Sequence, residues 1–437
     1  MTRARVFMCL VSFLLVSMLA GCGGGGSAQS DAAQRVVVSP TSGGAMTVQP
    51  GDIVAPATAS KDAVDASYVA SPALWLMPQE AGKTASAAAA TWPGGPYTVT
   101  QIRHAYGLDQ IVGSGAGQII AIVDAYGSPT IQADLAAFSQ AAGLPAPSLT
   151  IAYQGGGPPT SSDAGWALET ALDVEWAHAV APDAKILLVV AKTASYTDLL
   201  QAIDIAVAQG ARQISMSWGG SELSTEASLD SHFNKTGVTF FGSSGDSGAG
   251  VSWPVSSSYV CSVGGTTLNL DAKGNVVGET AWKGSGGGTS RYVPVPTYQQ
   301  RNTVAAPVCG TTRGGPDVSY CGDPATGFAV YSTTPYSGCT GWFKVGGTSA
   351  GAPQWAAICA VANGRRAAVG LAPIGGVQSL LYGFPAAAFR DITSGTNGFA
   401  AHLGFDLVTG LGSPTASSTN ALITGTASVP APTPTPT

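Results

Sequence analysis

The chain has 437 residues, of which 45% are hydrophobic and only 10% charged, with a formal net charge of −6. That length accommodates one large domain or two ordinary ones around a sizeable core. The acidic balance argues against nucleic acid or an anionic lipid surface as the main recognition target, because either favours a basic face.

The N-terminus reads as an export signal over residues 1–21. Arg3 and Arg5 precede an apolar run, Val6 to Ala20, that is too short for a transmembrane helix. The run closes on Leu19-Ala20-Gly21-Cys22, which resembles the lipobox of bacterial lipoproteins. The resemblance implies acylation of Cys22 and an exported protein, anchored to a membrane in the periplasm or at the cell surface. Gly23 to Gly26 and Ser27 then suit a flexible tether. Residues 22–92 carry no long periodic segment and read as this tether plus a short N-terminal region.

From Tyr97 the pattern changes. The apolar run Gln118–Val123 is followed by a helical pattern over Ile131–Ala142 and another over Gly165–Val180. A strand at Lys185–Val190, a helix at Tyr196–Gln209 and a strand at Gln213–Trp218 come next. A helix at Glu226–Lys235 and a strand at Val238–Phe241 continue the alternation. Apolar strands alternating with amphipathic helices predict an α/β fold, a parallel sheet covered by helices on both faces. Its functional site belongs beyond the carboxyl ends of the strands. One large domain is expected over residues 93–427, and the Pro/Thr-rich residues 428–437 form an extended tail.

The chain has seven cysteines, five of them beyond the leader. An exported compartment permits disulfides among Cys261, Cys309, Cys321 and Cys339, in any of three pairings; Cys359, in an apolar helical stretch, is the expected free thiol.

The stretch Gly346-Gly347-Thr348-Ser349-Ala350-Gly351-Ala352-Pro353 carries most chemical information. Pro353 is tolerated only in a first helical turn, which sets Ser349 at a helix N-terminus. There, unpaired N–H groups and the helix dipole favour an oxyanion formed beside the serine. A serine nucleophile needs a base within reach. None of the four histidines, His104, His178, His232 and His402, stands in a His-Gly-Thr-His setting. Glu169 and Asp173 instead lie four apart on one helix face, sharing a stripe with Trp166, Trp176 and Val180, while Glu175 and His178 point the opposite way. Two close carboxylates in apolar surroundings share a proton and split their titrations. Such a pair supplies an ionised base in acid, where histidine is already protonated. A third acid, Asp246, follows a strand directly and could, when protonated, donate to an oxyanion.

The string Gly-Thr-Ser-Ala-x-x-Pro resembles the nucleophile signature of the subtilisin-like peptidases and of the sedolisins, or serine-carboxyl peptidases. With Glu169, Asp173, Asp246 and Ser349 in place, the chain resembles a sedolisin from about Tyr97 to Pro414. Val123-Asp124-Ala-Tyr126-Gly, Ser215-Met-Ser217-Trp218-Gly219-Gly220, Gly286-Gly-Gly288-Thr-Ser290 and Pro316-Asp317-Val318-Ser319 add to it. The resemblance implies a subtilisin-like fold and peptide hydrolysis on protein or peptide substrates. Glu169 would be the base, Asp173 its partner, Asp246 the oxyanion acid and Ser349 the nucleophile. Ser217, Trp218 and Gly219 would pair with substrate backbone. It also implies one structural calcium ion held by Asp391, Ile392, His402, Gly404 and Asp406, with His402 where the family has glycine; two carboxylates and carbonyls suit that ion. The family's long N-terminal pro-domain has no counterpart of similar length in residues 22–92. Two competing readings remain: a Ser-His-Asp peptidase using His178 or His232 with Asp124, and a catalytically idle surface binding protein.

Overall fold

The computed structural model describes residues 96–426, together with residue 92, residues 69–72 and the strand backbones of 37–40, 46–49 and 75–78. The expected export signal, Cys22 and the Pro/Thr tail lie outside the described residues.

The predicted alternation forms one large sheet. Its strands are β1 (Ile119–Ala125), β2 (Ser148–Tyr153), β3 (Lys185–Ala191), β4 (Gln213–Met216), β5 (Thr239–Ser243), β6 (Val260–Leu270), β7 (Val276–Ala281) and β8 (Val318–Cys321). They run in the order β7-β6-β5-β4-β1-β3-β2, with β8 added to β6. All pairs are parallel except β6 with β7. The central strands are apolar and buried, as a sheet covered on both faces requires.

Helices α1 (Ile131–Ala142), α2 (Ala164–Val180) and α4 (Gly351–Ala368) share one core with β8. Helix α3 (Tyr196–Ala208) packs in a second core with Ile214, Met216 and Phe240. The ends are fixed locally. Asp163 caps α2 by accepting from Trp166 N at 2.9 Å, Ser195 caps α3 through Asp198 N at 3.2 Å, and Gly143 closes α1 at φ 68°.

Three expectations need correction. The run read as one strand to Trp218 breaks at Ser217 and resumes as Trp218–Ser221 in a separate three-stranded sheet. The break coincides with a polar attachment, since Ser217 Oγ donates to the Ser349 carbonyl at 3.3 Å. Glu226–Lys235 is a 3-10 segment, Glu226–His232, whose acids turn inward: Glu226 accepts from Leu223 N and Asp230 from Ser257 Oγ. The body cysteines form no disulfide among the described residues. Cys261, Cys321 and Cys359 lie in the main core with Cys339 packed against it, Cys309 packs with Tyr382 and Phe405 in another cluster, and Cys321 bonds the Thr326 carbonyl rather than a second sulfur. Burial pushes the Cys321 and Cys359 thiols up to about 12, far from a reactive thiolate.

Part of the stretch read as tether plus short N-terminal region is strand. Val37–Pro40, Met46–Gln49 and Trp75–Pro78 join Phe328–Tyr336 and Cys339–Gly346 in a five-stranded sheet.

Candidate active site

The carboxyl ends of β1, β4 and β5 carry Asp124, Ser217 and, three residues beyond β5, Asp246. Helix α2 brings Glu169 and Asp173 to the same place, and Glu169 feels the charges of Asp173, Asp124 and Asp246. Ser349 stands in the 3-10 turn Thr348–Ala350, which runs into α4 with Pro353 in the first turn, as the sequence predicted. Gly347 enters that turn at φ 122°, a conformation that side chains avoid. A Cβ on Gly351 would stand 2.7 Å from Val263 Cγ1, so α4 lies hard against β6.

Ser349 Oγ donates to the Ser217 carbonyl at 3.5 Å. Its hydroxyl also favours the ionised form of Glu169, as Ser217 does for Asp173 and Thr170 for Asp124. None of these three hydroxyl–carboxyl contacts has closed into a well-formed hydrogen bond; catalytic hydrogen bonds commonly tighten only around substrate.

Glu169, Asp173 and Asp124 are all fully buried. Burial is the largest influence on each carboxyl and favours the neutral form. Neighbouring carboxylates add to it, so Glu169 and Asp173 hold their protons well above the ordinary range. Asp124 is raised to about 7 by burial, against the pull of Thr170. Groups this close titrate together, and the cluster, rather than one residue, gives up each proton.

Asp246 has two different oxygens. Oδ1 accepts from Thr348 N and Thr348 Oγ1, each at 2.8 Å. Oδ2 is shielded from water and has no partner, although the residue as a whole is half-buried. Burial raises this carboxyl to about 6 despite the two Thr348 bonds. In acid, its proton belongs on the free oxygen, leaving a neutral donor beside Ser349.

Helix α2 is buried all round, not on one stripe: Glu175 and His178 are as fully buried as the acid pair. They do point elsewhere, Glu175 accepting from Tyr331 N at 3.0 Å and His178 Nε2 meeting the Pro145 carbonyl at 3.1 Å. His232 pairs with Asp204 and His104 with Asp109, and His402 Nδ1 meets the Leu403 carbonyl. No histidine joins the cluster, so a Ser-His-Asp arrangement has no geometry here. Asp124, which the sequence suggested only as a partner for histidine, is a third buried acid of the cluster. Thr348, which orients Asp246, had no signal beyond its place beside Ser349.

Strand Trp218–Ser221 has neighbours on both sides, Ser252–Trp253 and Ser71–Pro72. Trp218 itself is a core residue, buried and donating from Nε1 to the Val123 carbonyl at 2.7 Å.

The expected calcium residues share one loop. Asp406 is buried and accepts from His402 N, Val408 N and Thr409 N. Asp391 accepts from Gly404 N at 2.9 Å, and Ile392 is buried beside Val408. Neither carboxylate meets a cationic side chain among the described residues. Nor do three or more His, Cys, Asp or Glu side chains converge there as a metal site. Two hard carboxylates without a counter-cation, in a loop able to add carbonyls, fit calcium.

Residues 161–371 match the subtilase family (Peptidase_S8). Kumamolisin from Bacillus sp. (strain MN-32) is 35% identical over 359 residues, covering 73% of this chain and 62% of kumamolisin. Tripeptidyl-peptidase 1 from Dictyostelium discoideum is 30% identical, covering 56% of this chain and 46% of that protein. The chain thus spans less than two thirds of the length of these curated relatives. A solved structure, Pseudomonas sedolisin (serine-carboxyl proteinase) complexed with two molecules of pseudo-iodotyrostatin, superposes with a TM-score of 0.65 at 26% identity, covering 76% of this chain and 99% of its own. With its parallel sheet, its acid cluster and these relatives, the chain is similar to the sedolisins, on a subtilisin-like fold.

Proposed function

We propose that the protein is an acid-acting serine-carboxyl peptidase that hydrolyses peptide bonds through an acyl-enzyme on Ser349. One observation carries this reading: Ser349 stands at a helix N-terminus against three buried carboxyls, with no histidine among them. Glu169, held by Asp173, takes the Ser349 proton as Oγ attacks the scissile carbonyl. The Ser349 N–H and the protonated Oδ2 of Asp246 hold the oxyanion. Glu169 returns the proton to the leaving amine, and water then attacks the ester carbonyl to release the acid and regenerate Ser349.

Endopeptidase action on extended segments is part of this reading, with Ser217, Trp218 and Gly219 supplying backbone pairing, the last two at the positions where Ser71–Pro72 now pairs. Export, acylation of Cys22 and membrane attachment rest on the leader sequence. Calcium, held by Asp391, Asp406 and the carbonyls of Ile392, His402 and Gly404, would brace the loop that packs on Val408.

The primary test is the rate of peptide cleavage from about pH 2.5 to 8, spanning the carboxylate and histidine reference ranges, with Ser349→Ala as control. An acid optimum that vanishes in the control is expected; a neutral optimum in folded protein would overturn the reading. For calcium, a chelator should lower Tm by several degrees, and calcium but not magnesium should restore it. Asp391→Ala should then unfold at the chelated Tm and ignore added calcium.

A further inference from the structure

An edge strand leaves a row of backbone N–H and C=O groups that other parts of the protein, or water, must satisfy. Phe328–Tyr336 is the last strand of the five-stranded sheet, paired on one side with Cys339–Gly346. On its other side Tyr97 bridges Phe328, and beyond that point the side chains of two helices stand where a strand would. The Ala329 carbonyl accepts from Trp176 Nε1 at 2.9 Å, the Tyr331 N–H donates to Glu175 at 3.0 Å, and the Thr333 N–H donates to Asp134 at 3.1 Å. Alternate residues of one strand are thus held twice by α2 and then by α1. Asp134 is fixed further by donation from Thr333 Oγ1 and Thr130 Oγ1.

These bonds tie the nucleophile to its base. Helix α2 carries Glu169 and Asp173, and Glu175 leaves the same helix toward the strand. The strand it grips sets Tyr331 opposite Trp342 and Phe328 opposite Val345, and Cys339–Gly346 runs directly into Gly347 and the Ser349 turn. A slip of the strand against α2 therefore moves Ser349 relative to Glu169.

Among the described residues, neither Glu175 nor Asp134 meets a cationic side chain. The titratable groups facing them are each other and Tyr331, while His178, farther along α2, turns to the Pro145 carbonyl. Glu175 Oε1 is buried without a partner. Burial above all keeps both carboxyls protonated beyond the ordinary range, against the bonds from the strand, and the charge of Asp134 adds to the effect on Glu175.

We infer that Glu175 and Asp134 are positioning residues, an acid clasp that sets the strand leading to Ser349 against the helix that carries Glu169 and Asp173. The inference rests on the serine-carboxyl peptidase reading. A carboxyl whose folded pKa is raised supports the fold below its unfolded pKa and loses that support as pH rises through the folded one. The clasp therefore holds in acid and slackens toward neutrality.

Glu175→Gln keeps an oxygen for the Tyr331 N–H and cannot ionise, whereas Glu175→Leu offers no acceptor. At about pH 4, Glu175→Leu should lower kcat roughly tenfold with KM within about twofold, the cost of a small misplacement made away from the chemistry. Glu175→Gln should restore kcat. A second measurement uses the full chain with Ser349→Ala and needs no leucine variant. Protection of the Tyr331 and Thr333 amides against hydrogen exchange should fall roughly tenfold between about pH 4 and pH 7, and far less when Glu175→Gln and Asp134→Asn are added. Parental kcat in folded Glu175→Leu would overturn the clasp, as would protection that falls equally with and without the two amide substitutions. The expected protection pattern without cleavage at any pH would leave the clasp standing and reject the peptidase reading.

Discussion

Glu169→Gln should lower kcat roughly a thousandfold at every pH, the loss expected when a positioned general base is removed. Glutamine keeps the shape of the side chain but cannot take the Ser349 proton. The variant should nevertheless fold. Glu169 is fully buried and its carboxyl is held well above the ordinary range by burial first and by Asp173 and Asp124 next. A group with a raised folded pKa contributes its stability below the unfolded pKa and loses it as pH rises toward the folded one. Where Glu169 is protonated the glutamine replaces a neutral acid, and in the ionised fraction of the coupled cluster, the fraction that can take the Ser349 proton, it removes a charge from the core. Tm at pH 7 should therefore equal or exceed that of the parent, measured by calorimetry beside the kinetic assay. Substantial activity in Glu169→Gln would reject this residue as the base. A fall in Tm would instead assign the kinetic loss to misfolding.

Asp246 gives the second large effect, and two substitutions separate its roles. Asp246→Ala removes the oxyanion donor and should cost roughly 10²–10³ in kcat. Asp246→Asn should cost less, because asparagine Oδ1 can keep both Thr348 bonds while its amide donates from the position of the free Oδ2. The pH profile distinguishes them further. Burial raises the Asp246 carboxyl to about 6, so the donor proton is present below that pH and the rate should fall as pH rises through it. Asparagine does not titrate, and its profile should lose that alkaline limb. A limb unchanged in Asp246→Asn would assign it to another group of the cluster, with Asp124, raised to about 7, the first candidate.

What could be read before folding was local. The four-residue spacing of Glu169 and Asp173 needs only a helix, and the placement of Ser349 needs only glycines before it and Pro353 after it. The elements foreseen between Gln118 and Gln209 held because they are long and largely apolar, whereas beyond them the strand to Trp218 broke and Glu226–Lys235 became a 3-10 segment. The strand β2 was not foreseen, its residues being half exposed. Asp124 joins the acid pair from a strand 45 residues earlier, a distance only the parallel pairing of β1 closes. Thr348 matters because Asp246 reaches across from β5, and no spacing records that. The cysteines misled because an exporting compartment permits pairing without bringing the sulfurs together.

Helix α2 has a consequence for how this sequence can change. A helix at a surface accepts substitution wherever it meets water, and so drifts at two or three positions in every turn. Residues 166–180 are buried at every position. Each can vary only by exchanging volume with a neighbour that varies in step, and a single insertion would swing everything after it by about 100°. The spacing between Glu169 and Asp173 is thus guarded by the packing of residues that have no part in the chemistry. Descendants of this chain will keep the helix nearly intact long after its loops have diverged.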